Sequence, residues 1–584
     1  MQSETRQCQN CQKDFTIEPD DFGFYEKIKV PPPTWCPECR LIRRLMWRNE
    51  RSFFHRTCGK CGEKIISIYP KESDINVFCR PCWWGDGWDA TEYAIDFDPT
   101  RPFFVQFNEL LRRVPLPSLF GLYSTLQNSE FSNMVGYLKN CYFLTMADWN
   151  ENCYYSSNIY HCNDCVDNLM LDDSELCYQT LNCQKCHQVF YSIDCESCLN
   201  VSFSKNLSGC SDCIGCINLQ NKQYCIWNKQ YSKEEYERLA LQYKPDSREK
   251  ISEIYRKAHL FWLKHPQRFI HSRLTNGVSG DYIYNSKNTH YAFMVPEAED
   301  CKYIGLVPPG KITDAYDHTH YGISTELVYE TLQVGNQASN IKFSWFVLTG
   351  VENIEYSIFC VNSSKNLFGC VGLKGKEYYI LNKQYPKNEY ERLKKVIVEQ
   401  MDKMPFVDSI GRIYRYGEFF PTDFAPYAYN NGSAQEFFPM NETIALGRGF
   451  AWASPLKDEN VPTIKASEIP DGPVKEIGNL SKEIYECLHT KKCNENCSGA
   501  FRVTTNELNF YKRFNLPLPN LCPNCRHYGR VKLRNPWKLW GRQCMCDKEN
   551  HNHRGHCGNK FETSYAPDRP EIVFCEKCYQ QEVY

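Results

Sequence analysis

The sequence predicts a mainly β protein: tandem zinc ribbons at both termini flank two parallel β-helix-like solenoid segments, each closed by helices. Three observations support this prediction. Pairs of cysteines in CxxC spacing occur near both ends, cysteines recur twelve residues apart in the middle, and a segment of good helix formers follows each repetitive stretch.

The first ninety residues contain four CxxC knuckles, which predict two zinc ribbons. Two knuckles bring four thiolates together around one Zn²⁺ ion, and a closed site of four cysteines is structural. The alternative is cysteine buried as a small apolar side chain. The predicted ligands are Cys8, Cys11, Cys36 and Cys39 for ribbon 1, and Cys58, Cys61, Cys79 and Cys82 for ribbon 2.

The C-terminal region repeats this plan, which indicates an internal duplication. Cys11 to Cys36 spans 25 positions, and so does Cys497 to Cys522. The same agreement holds for the later spacings, so we expect about four zinc ions in the chain. The predicted ligands are Cys493, Cys497, Cys522 and Cys525 for ribbon 3, and Cys544, Cys557, Cys575 and Cys578 for ribbon 4.

Two departures from the N-terminal pattern leave alternatives open. Ribbon 3 begins with Cys493-x3-Cys497, one residue longer than CxxC, so that Cys487 is a further candidate ligand. Ribbon 4 carries the inserted run 547–556. There, Cys546, His551, His553 or His556 could replace or supplement a ligand, or the histidines could simply be solvated.

Ribbons 1 and 3 share the pattern CxxC…FY…P…CPxCR and resemble the family of probable zinc-ribbon domains. The resemblance covers about 40 residues at each end and implies zinc binding and little more. The layout also looks like uncharacterised bacterial proteins that combine such ribbons with a repetitive centre. The matching residues are Cys8, Cys11, Phe24, Tyr25, Pro33, Cys36, Pro37, Cys39 and Arg40, and again Phe510, Tyr511, Pro519, Cys522, Pro523, Cys525 and Arg526.

An arginine-rich segment follows ribbon 1 and, in a second copy, ribbon 3. Three- and four-residue spacing places the arginines on one face of a helix, with aromatic residues interleaved. Arginine with aromatic residues suits phosphates and bases; the alternative is pairing with acidic residues of the same chain. The candidates for nucleic-acid contact are Arg40, Arg44, Arg48, Arg51, Arg526, Arg530 and Arg534.

The centre is repetitive. Cys141, Cys153, Cys165 and Cys177 lie twelve residues apart, and fixed periodicity is the mark of a solenoid. We expect two twelve-residue arms per coil and buried ladders of cysteine; extra zinc sites and an iron–sulfur site are the alternatives. YCIWNKQYSKEEYERL (224–239) and YYILNKQYPKNEYERL (378–393) indicate a second duplication.

These observations divide the chain into eight segments. They are the tandem ribbons 1–90, a linker and helix 91–120, a Cys-rich solenoid 121–230, a helical cap 231–270, a second solenoid 271–385, a helix 386–405, an extended arm 406–480 and the tandem ribbons 481–584.

No enzyme signature is recognisable, so we predict a zinc-stabilised, non-enzymatic scaffold or adaptor. Its partner would be nucleic acid or a protein. A carbohydrate-binding protein or carbohydrate-active enzyme using the β-helix is the first alternative, and a thiol-rich metal-storage or redox-sensing protein is the second. The net charge of −2 argues against a dedicated duplex binder.

The compartment that we expect is the cytoplasm, without a membrane partner. The start lacks a secretory signal, no apolar run approaches the roughly 18 residues of a membrane span, and a reducing compartment favours metal thiolates over disulfides. The oligomeric state does not follow from the sequence.

Overall fold

A computed structural model describes residues 2–454 and 461–583. Parts of three predicted segments (residue 1 of the first ribbons, residues 455–460 of the arm and residue 584 of the last ribbons) lie outside the described residues. The chain is rich in β-structure, with two long parallel sheets at its centre. Its α-helices are Pro19–Ile28, Pro37–Leu45, Arg80–Trp84, Phe103–Arg113, Lys233–Ala240, Arg248–Trp262, Lys387–Lys403, Ala434–Phe437, Glu442–Gly447, Thr505–Arg513, Pro523–Val531 and Glu576–Val583.

Each predicted ribbon contains an antiparallel hairpin and a helix at its second pair of cysteines, and ribbons 1 and 3 contain one helix more, Pro19–Ile28 and Thr505–Arg513. The hairpin carries a cysteine directly after its first strand, and the helix begins at or just after the third cysteine, with the fourth in its first turn. The four hairpins are Glu4–Gln7 with Asp14–Ile17, Phe54–Thr57 with Lys64–Ser67, Tyr485–Glu486 with Ala500–Phe501, and Trp540–Gln543 with Lys560–Thr563.

The first stack consists of short parallel strands between residues 126 and 226. Strands twelve residues apart pair directly, as Leu169 with Leu181 and Ile193 with Lys205. The strands are Leu126–Gln127, Asn133–Lys139, Thr145–Glu151, Ser157–Tyr160, Leu169–Asp172, Leu181–Gln184, Ile193–Glu196, Lys205–Ser208 and Ile217–Gln220 on one side, and His187–Phe190, Leu199–Ser202, Ser211–Ile214 and Gln223–Ile226 on the other. A short antiparallel strand, Lys229–Gln230, closes the second side.

The second stack continues the same arrangement between residues 272 and 384. Its pairing interval varies from eleven to fourteen residues and is thirteen over residues 312–368, as for Glu326 with Ser339 and Glu352 with Lys365. The strands are Ser272–Arg273, Asn276–Tyr284, Lys287–Val295, Ala298–Lys302, Ile312–Thr319, Thr325–Gly335, Ser339–Lys342, Trp345–Leu348, Glu352–Glu355, Lys365–Phe368 and Glu377–Ile380, with Lys383–Gln384 antiparallel at the end.

This pairing corrects our expectation of two twelve-residue arms per coil. Residues about twelve positions apart pair directly, so each layer of the stack contains one repeat and not two. The reason lies in the backbone, because every third residue from Met134 to Trp227 has a positive φ. A left-handed residue turns the chain, and each four-residue strand of this stack contains one such residue and is followed by another, as Met170 lies in Leu169–Asp172 and Asp173 follows it. Asn and Asp tolerate this conformation better than most residues, which explains why they are frequent here.

The cysteines of the first stack face its interior. Cys153, Cys165, Cys177 and Cys213 are fully buried among aliphatic side chains. The Cys165 Sγ lies 3.2 Å from the carbonyl oxygen of Asn163, and the same contact with the residue two positions earlier recurs along the stack. Burial raises the pKa of the Cys165 thiol well above its usual value. This is the arrangement that the ladder interpretation predicts.

Two further features complete the fold. The segment that we predicted as an arm packs inward over residues 414–437, where Tyr414, Phe419, Phe420 and Tyr429 are fully buried. Short parallel strands connect parts of the chain that are distant in sequence, Val77–Phe78 with Leu116–Pro117 and Gln267–Arg268 with Val573–Phe574, whereas Phe406–Val407 and Ile413–Tyr414 form a local antiparallel hairpin. Within residues 2–454 and 461–583, no helix is long and apolar enough to cross a membrane.

Candidate metal centres

Four groups of four cysteines bring their sulfur atoms within 4.8 Å of one another, close enough to hold a metal ion. Ribbons 1, 2 and 4 each bring together the four cysteines that the spacing predicts. The groups are Cys8, Cys11, Cys36 and Cys39; Cys58, Cys61, Cys79 and Cys82; Cys487, Cys497, Cys522 and Cys525; and Cys544, Cys557, Cys575 and Cys578.

The distances between sulfur atoms suit a tetrahedral ion. The Cys11 and Cys36 sulfurs lie 3.8 Å apart, and those of Cys557 and Cys575 lie 3.9 Å apart. A zinc–sulfur bond of about 2.3 Å in a tetrahedron gives about 3.8 Å between sulfurs. The cysteines therefore fit an ion of this size and geometry, although other thiolate-binding metals share the preference for sulfur.

The same backbone contact recurs in all four groups. The N–H of the third cysteine donates to the sulfur of the first at 3.2 Å, as from Cys36 to Cys8 and from Cys575 to Cys544. Such N–H groups favour the thiolate, which is the form that binds metal. Burial raises the pKa of the Cys58 thiol, but backbone N–H groups outweigh it and lower the pKa to about 6.

Ribbon 3 differs from the spacing-based prediction in its first ligand. Cys487 directly follows the strand Tyr485–Glu486 and accepts the N–H of Cys522, so it occupies the place that Cys8 has in ribbon 1. We predicted Cys493 for that place and kept Cys487 as an alternative. The Cys493 sulfur lies 3.8 Å from that of Cys525 and so stands beside the group.

Ribbon 4 contains a second group, built around its insertion. Cys546, His551, His553 and Cys578 also bring one ligand atom each within 4.8 Å of the others. Cys578 belongs to both groups of ribbon 4, whereas His556 is exposed.

The arginines after ribbon 1 lie inside the protein, which corrects their prediction as a nucleic-acid surface. Arg40 and Arg44 are at most 1% exposed, and both contact Asp317 of the second stack, at 2.8 and 3.1 Å. Arg44 also pairs with Glu330 at 3.0 Å. Arg43, which lies outside the predicted face, pairs with the same Glu330 at 2.8 Å. No phosphate can reach these guanidinium groups in the folded chain.

The arginines after ribbon 3 are buried in the same way against the first stack. Arg526 and Arg530 contact Asp167 at 3.2 and 3.1 Å, and this carboxylate is fully buried. Arg526 also pairs with Glu507 at 3.0 Å. Ribbon 3 therefore docks as ribbon 1 does: two arginines four residues apart meet one buried aspartate. Through these arginines, ribbon 1 contacts the second stack and ribbon 3 contacts the first.

The remaining predicted arginines are buried where the two basic segments meet. Arg48 pairs with Glu50, and Arg534 lies 3.7 Å from Glu436. Arg51 lies over the ring of Phe143, 4.6 Å from its centroid. All three arginines are 9% exposed or less, so all seven arginines predicted to contact nucleic acid are withdrawn from the surface.

These carboxylates were absent from the sequence analysis. Asp167 and Asp317 lie within the repetitive stretches, where acidic residues at turns are common and normally solvated. Their arginine partners are distant in sequence: Arg40 and Asp317 are 277 residues apart, and Arg530 and Asp167 are 363 residues apart. No local pattern links residues at such distances.

A polar groove lies between the helix Lys387–Lys403 and the second stack, with a volume of about 820 Å³. The amides of Asn340, Asn353 and Asn366 form a hydrogen-bonded row along it. At its base, the carboxylate of Glu355 forms ion pairs with the Nζ of Lys342 at 3.1 Å and with the Nζ of Lys394 at 2.9 Å. The other lining side chains are Lys29, Tyr378, Lys387, Tyr390, Glu391, Lys395, Val398 and Glu399.

The charge of Glu355 bears on what this groove can do. Burial raises the pKa of its carboxyl, but Lys394 and Lys342 outweigh burial and lower the pKa to about 2. The group stays ionised and paired at neutral pH, so it is unsuited to act as a general acid.

The fold and these clusters define the class: a sheet-rich protein with long parallel sheets and several cysteine groups able to hold metal ions. No protein-family model matches the chain, and no curated protein matches it.

Proposed function

We propose that this protein is a non-enzymatic scaffold or adaptor whose four ribbons are folded by about four zinc ions. The observation that carries the proposal is the docking of the ribbons. Helices that begin at a metal-site cysteine insert paired arginines onto buried carboxylates of the stacks. Metal binding and the assembly of the whole chain are coupled through these helices.

Zinc is the ion that the ligands favour. Four cysteines with sulfur atoms about 3.8 Å apart suit a closed tetrahedral site, and closed sites of this type are structural. A ribbon of about 40 residues is too small to hold a core without its metal, so ion binding supplies folding free energy.

The two stacks are, in this proposal, β-helix-like solenoids. Parallel pairing at intervals of twelve or thirteen residues and the regular positive φ angles support continuous coiling. The buried cysteine ladder fills the narrow interior of the first solenoid. A solenoid offers an extended surface, which is what a scaffold requires.

Metal removal tests the scaffold proposal. The purified full chain should contain about four zinc ions or more, and a strong chelator should increase hydrogen exchange in both ribbon units. Exchange should also rise in the strands Ile312–Thr319 and Thr325–Gly335, which would lose their arginine partners. A chain without zinc, or one whose exchange a chelator leaves unchanged, would contradict the proposal.

The partner would be a protein or nucleic acid that contacts exposed surface. The seven predicted arginines are excluded from that contact because they are buried and, apart from Arg51, face carboxylates. Crosslinking in the native cell, followed by identification of bound RNA, DNA and protein, separates the two classes of partner.

The groove beside Lys387–Lys403 supports a second candidate function, the binding of an acidic carbohydrate. Five lysines against three glutamates give the groove a positive excess. The asparagine row and Tyr378 offer hydrogen bonds and a stacking face. We expect K387A/K395A to weaken the binding of an acidic oligosaccharide, whereas K403A on the same helix should not. Equal binding of a neutral oligosaccharide would refute this candidate.

A storage or redox role for the central thiols is less well supported. Cys153, Cys165, Cys177 and Cys213 are fully buried, and a buried thiol is poorly accessible to oxidants and to metal ions from solvent.

A further inference from the structure

The insertion of ribbon 4 folds back onto its own metal site. In ribbon 1, two residues separate Cys8 from Cys11, whereas the run 545–556 separates Cys544 from Cys557. The N–H of Cys557 donates to the carbonyl of Cys546 at 2.9 Å and closes this run into a loop. The loop thereby brings His551 and His553 to the ribbon's cysteines rather than into solvent.

Four side chains converge there as a second ligand set. Cys546, His551, His553 and Cys578 have ligand atoms within 4.8 Å of one another. The Cys546 sulfur lies 3.1 Å from His551 Nδ1, and Cys546 is fully buried. Two thiols and two imidazoles form a common ligand set for Zn²⁺.

The histidines have the hydrogen bonding of metal ligands. A ligating histidine usually presents its other ring nitrogen to a carbonyl or carboxylate. His553 Nδ1 lies 2.8 Å from the carbonyl of Gly555, and its buried Nε2 has no hydrogen-bond partner among the described residues. In His551, Nδ1 faces Cys546 while Nε2 lies 3.5 Å from Glu582 Oε2. His551 is 6% exposed, so this part of the ligand set is shielded from solvent.

We propose that ribbon 4 holds two divalent, thiolate-preferring ions, of which Zn²⁺ is the best match, joined by the sulfur of Cys578. This inference rests on the zinc site of ribbon 4 in the proposed function and adds a second ion to it. One ion on four thiolates leaves a formal charge of two minus in a buried site. Two ions on five thiolates reduce that charge to one minus, which lowers the cost of burial.

Metal counting on the zinc-loaded full chain tests the inference. We expect about five zinc ions per wild-type chain and about four in C546S and in H553A. H556A is the matched control, because His556 lies on the same loop but is exposed, and this variant should keep about five. A wild-type count of about four, or variants that keep the wild-type count, would overturn the second ion and leave the four ribbons intact. A count well below four would instead contradict the proposed function.

Cobalt loading gives a second readout that does not depend on stoichiometry. Two Co²⁺ ions that share one thiolate couple magnetically, so the paramagnetic resonance signal per cobalt should be lower in the wild type than in H551A. Equal signals per cobalt in the two proteins would refute the shared sulfur. Hydrogen exchange in Trp540–Gln543 and Lys560–Thr563 shows whether each variant keeps the ribbon hairpin.

Discussion

Replacing Asp167 by asparagine should detach ribbon 3 from the first stack. Asp167 is fully buried and is the carboxylate that both Arg526 and Arg530 contact. Arg526 keeps Glu507 at 3.0 Å, but among the described residues Arg530 keeps only the neutral oxygens of Gln179 and Tyr155, both at 3.2 Å. Burial lowers the pKa of Arg530 even with Asp167 beside it. Removing the charge of Asp167 therefore mainly destabilises the buried guanidinium of Arg530.

The expected magnitude follows from the burial of both partners. Removing one partner of a buried ion pair costs about 3–5 kcal/mol, because the other charge stays buried without compensation. We expect the lower end, about 3 kcal/mol, because Arg526 retains a carboxylate. A loss of this size corresponds to roughly a hundredfold change in an opening equilibrium.

Hydrogen exchange on the zinc-loaded chain measures this change directly. In D167N, protection of the helix Pro523–Val531 should fall by about a hundredfold, while Pro37–Leu45, which docks on Asp317, should be unaffected. The matched control is D164N, because Asp164 pairs with Arg513 of the same ribbon at 3.2 Å on the surface. Such a pair contributes at most about 1 kcal/mol. Equal effects of D167N and D164N would refute the anchoring role of the buried aspartate.

Three further predictions concern ligands, pH and metal. C487S should lower the zinc content by about one ion, whereas C493S should not; the reverse result would restore the ligand set expected from spacing. Burial lowers the pKa of His318 to about 3 from the usual 6.5, so protonation favours the unfolded chain. The contribution of neutral His318 to the free energy of unfolding is complete above pH 6.5. It falls by up to about 1.4 kcal/mol per pH unit as the pH drops toward 3. In urea unfolding of H318N, the decline should therefore be shallower by that amount, and an unchanged slope would contradict the assignment. Chelation should make E330Q and the wild type equally protease-sensitive, because both then lack the docked ribbon 1; a difference that persists would place the role of Glu330 elsewhere.

The metal groups follow largely from the sequence, because knuckle geometry is local. In ribbons 1, 2 and 4 the spacing alone identifies four cysteines that converge. In ribbon 3 the spacing misleads, because Cys487 and Cys497 stand ten positions apart across a longer hairpin turn. A signal was present: Cys487 follows the segment IYE, as Cys8 and Cys58 follow strands of their own ribbons.

The sequence predicted stacked parallel strands but not the number of residues in each layer of the stack. Twelve-residue spacing of cysteines indicates stacked repeats, yet it does not distinguish one repeat per turn from two. The left-handed residues at every third position decide this. Asn and Asp occupy many of those positions, but bulky residues such as Tyr137, Tyr155 and Leu176 occupy others. Bulky residues rarely adopt positive φ, so their sequence gives no sign of a corner.

For this protein, the sequence by itself determined the cysteine clusters of ribbons 1, 2 and 4, the duplication of the ribbon units and the helical face shared by Arg40 and Arg44 and by Arg526 and Arg530. Those features depend on residues a few positions apart. The helices end at Leu45 and Val531, so Arg48, Arg51 and Arg534 lie beyond the predicted face. Only the tertiary structure decided what that face meets. Arg40 and Arg530 find Asp317 and Asp167 across 277 and 363 residues of chain. A buried guanidinium is tolerated only beside a carboxylate, and that carboxylate comes from a distant strand. Periodicity therefore predicted the face, and long-range charge pairing determined that the face is buried and not a nucleic-acid surface.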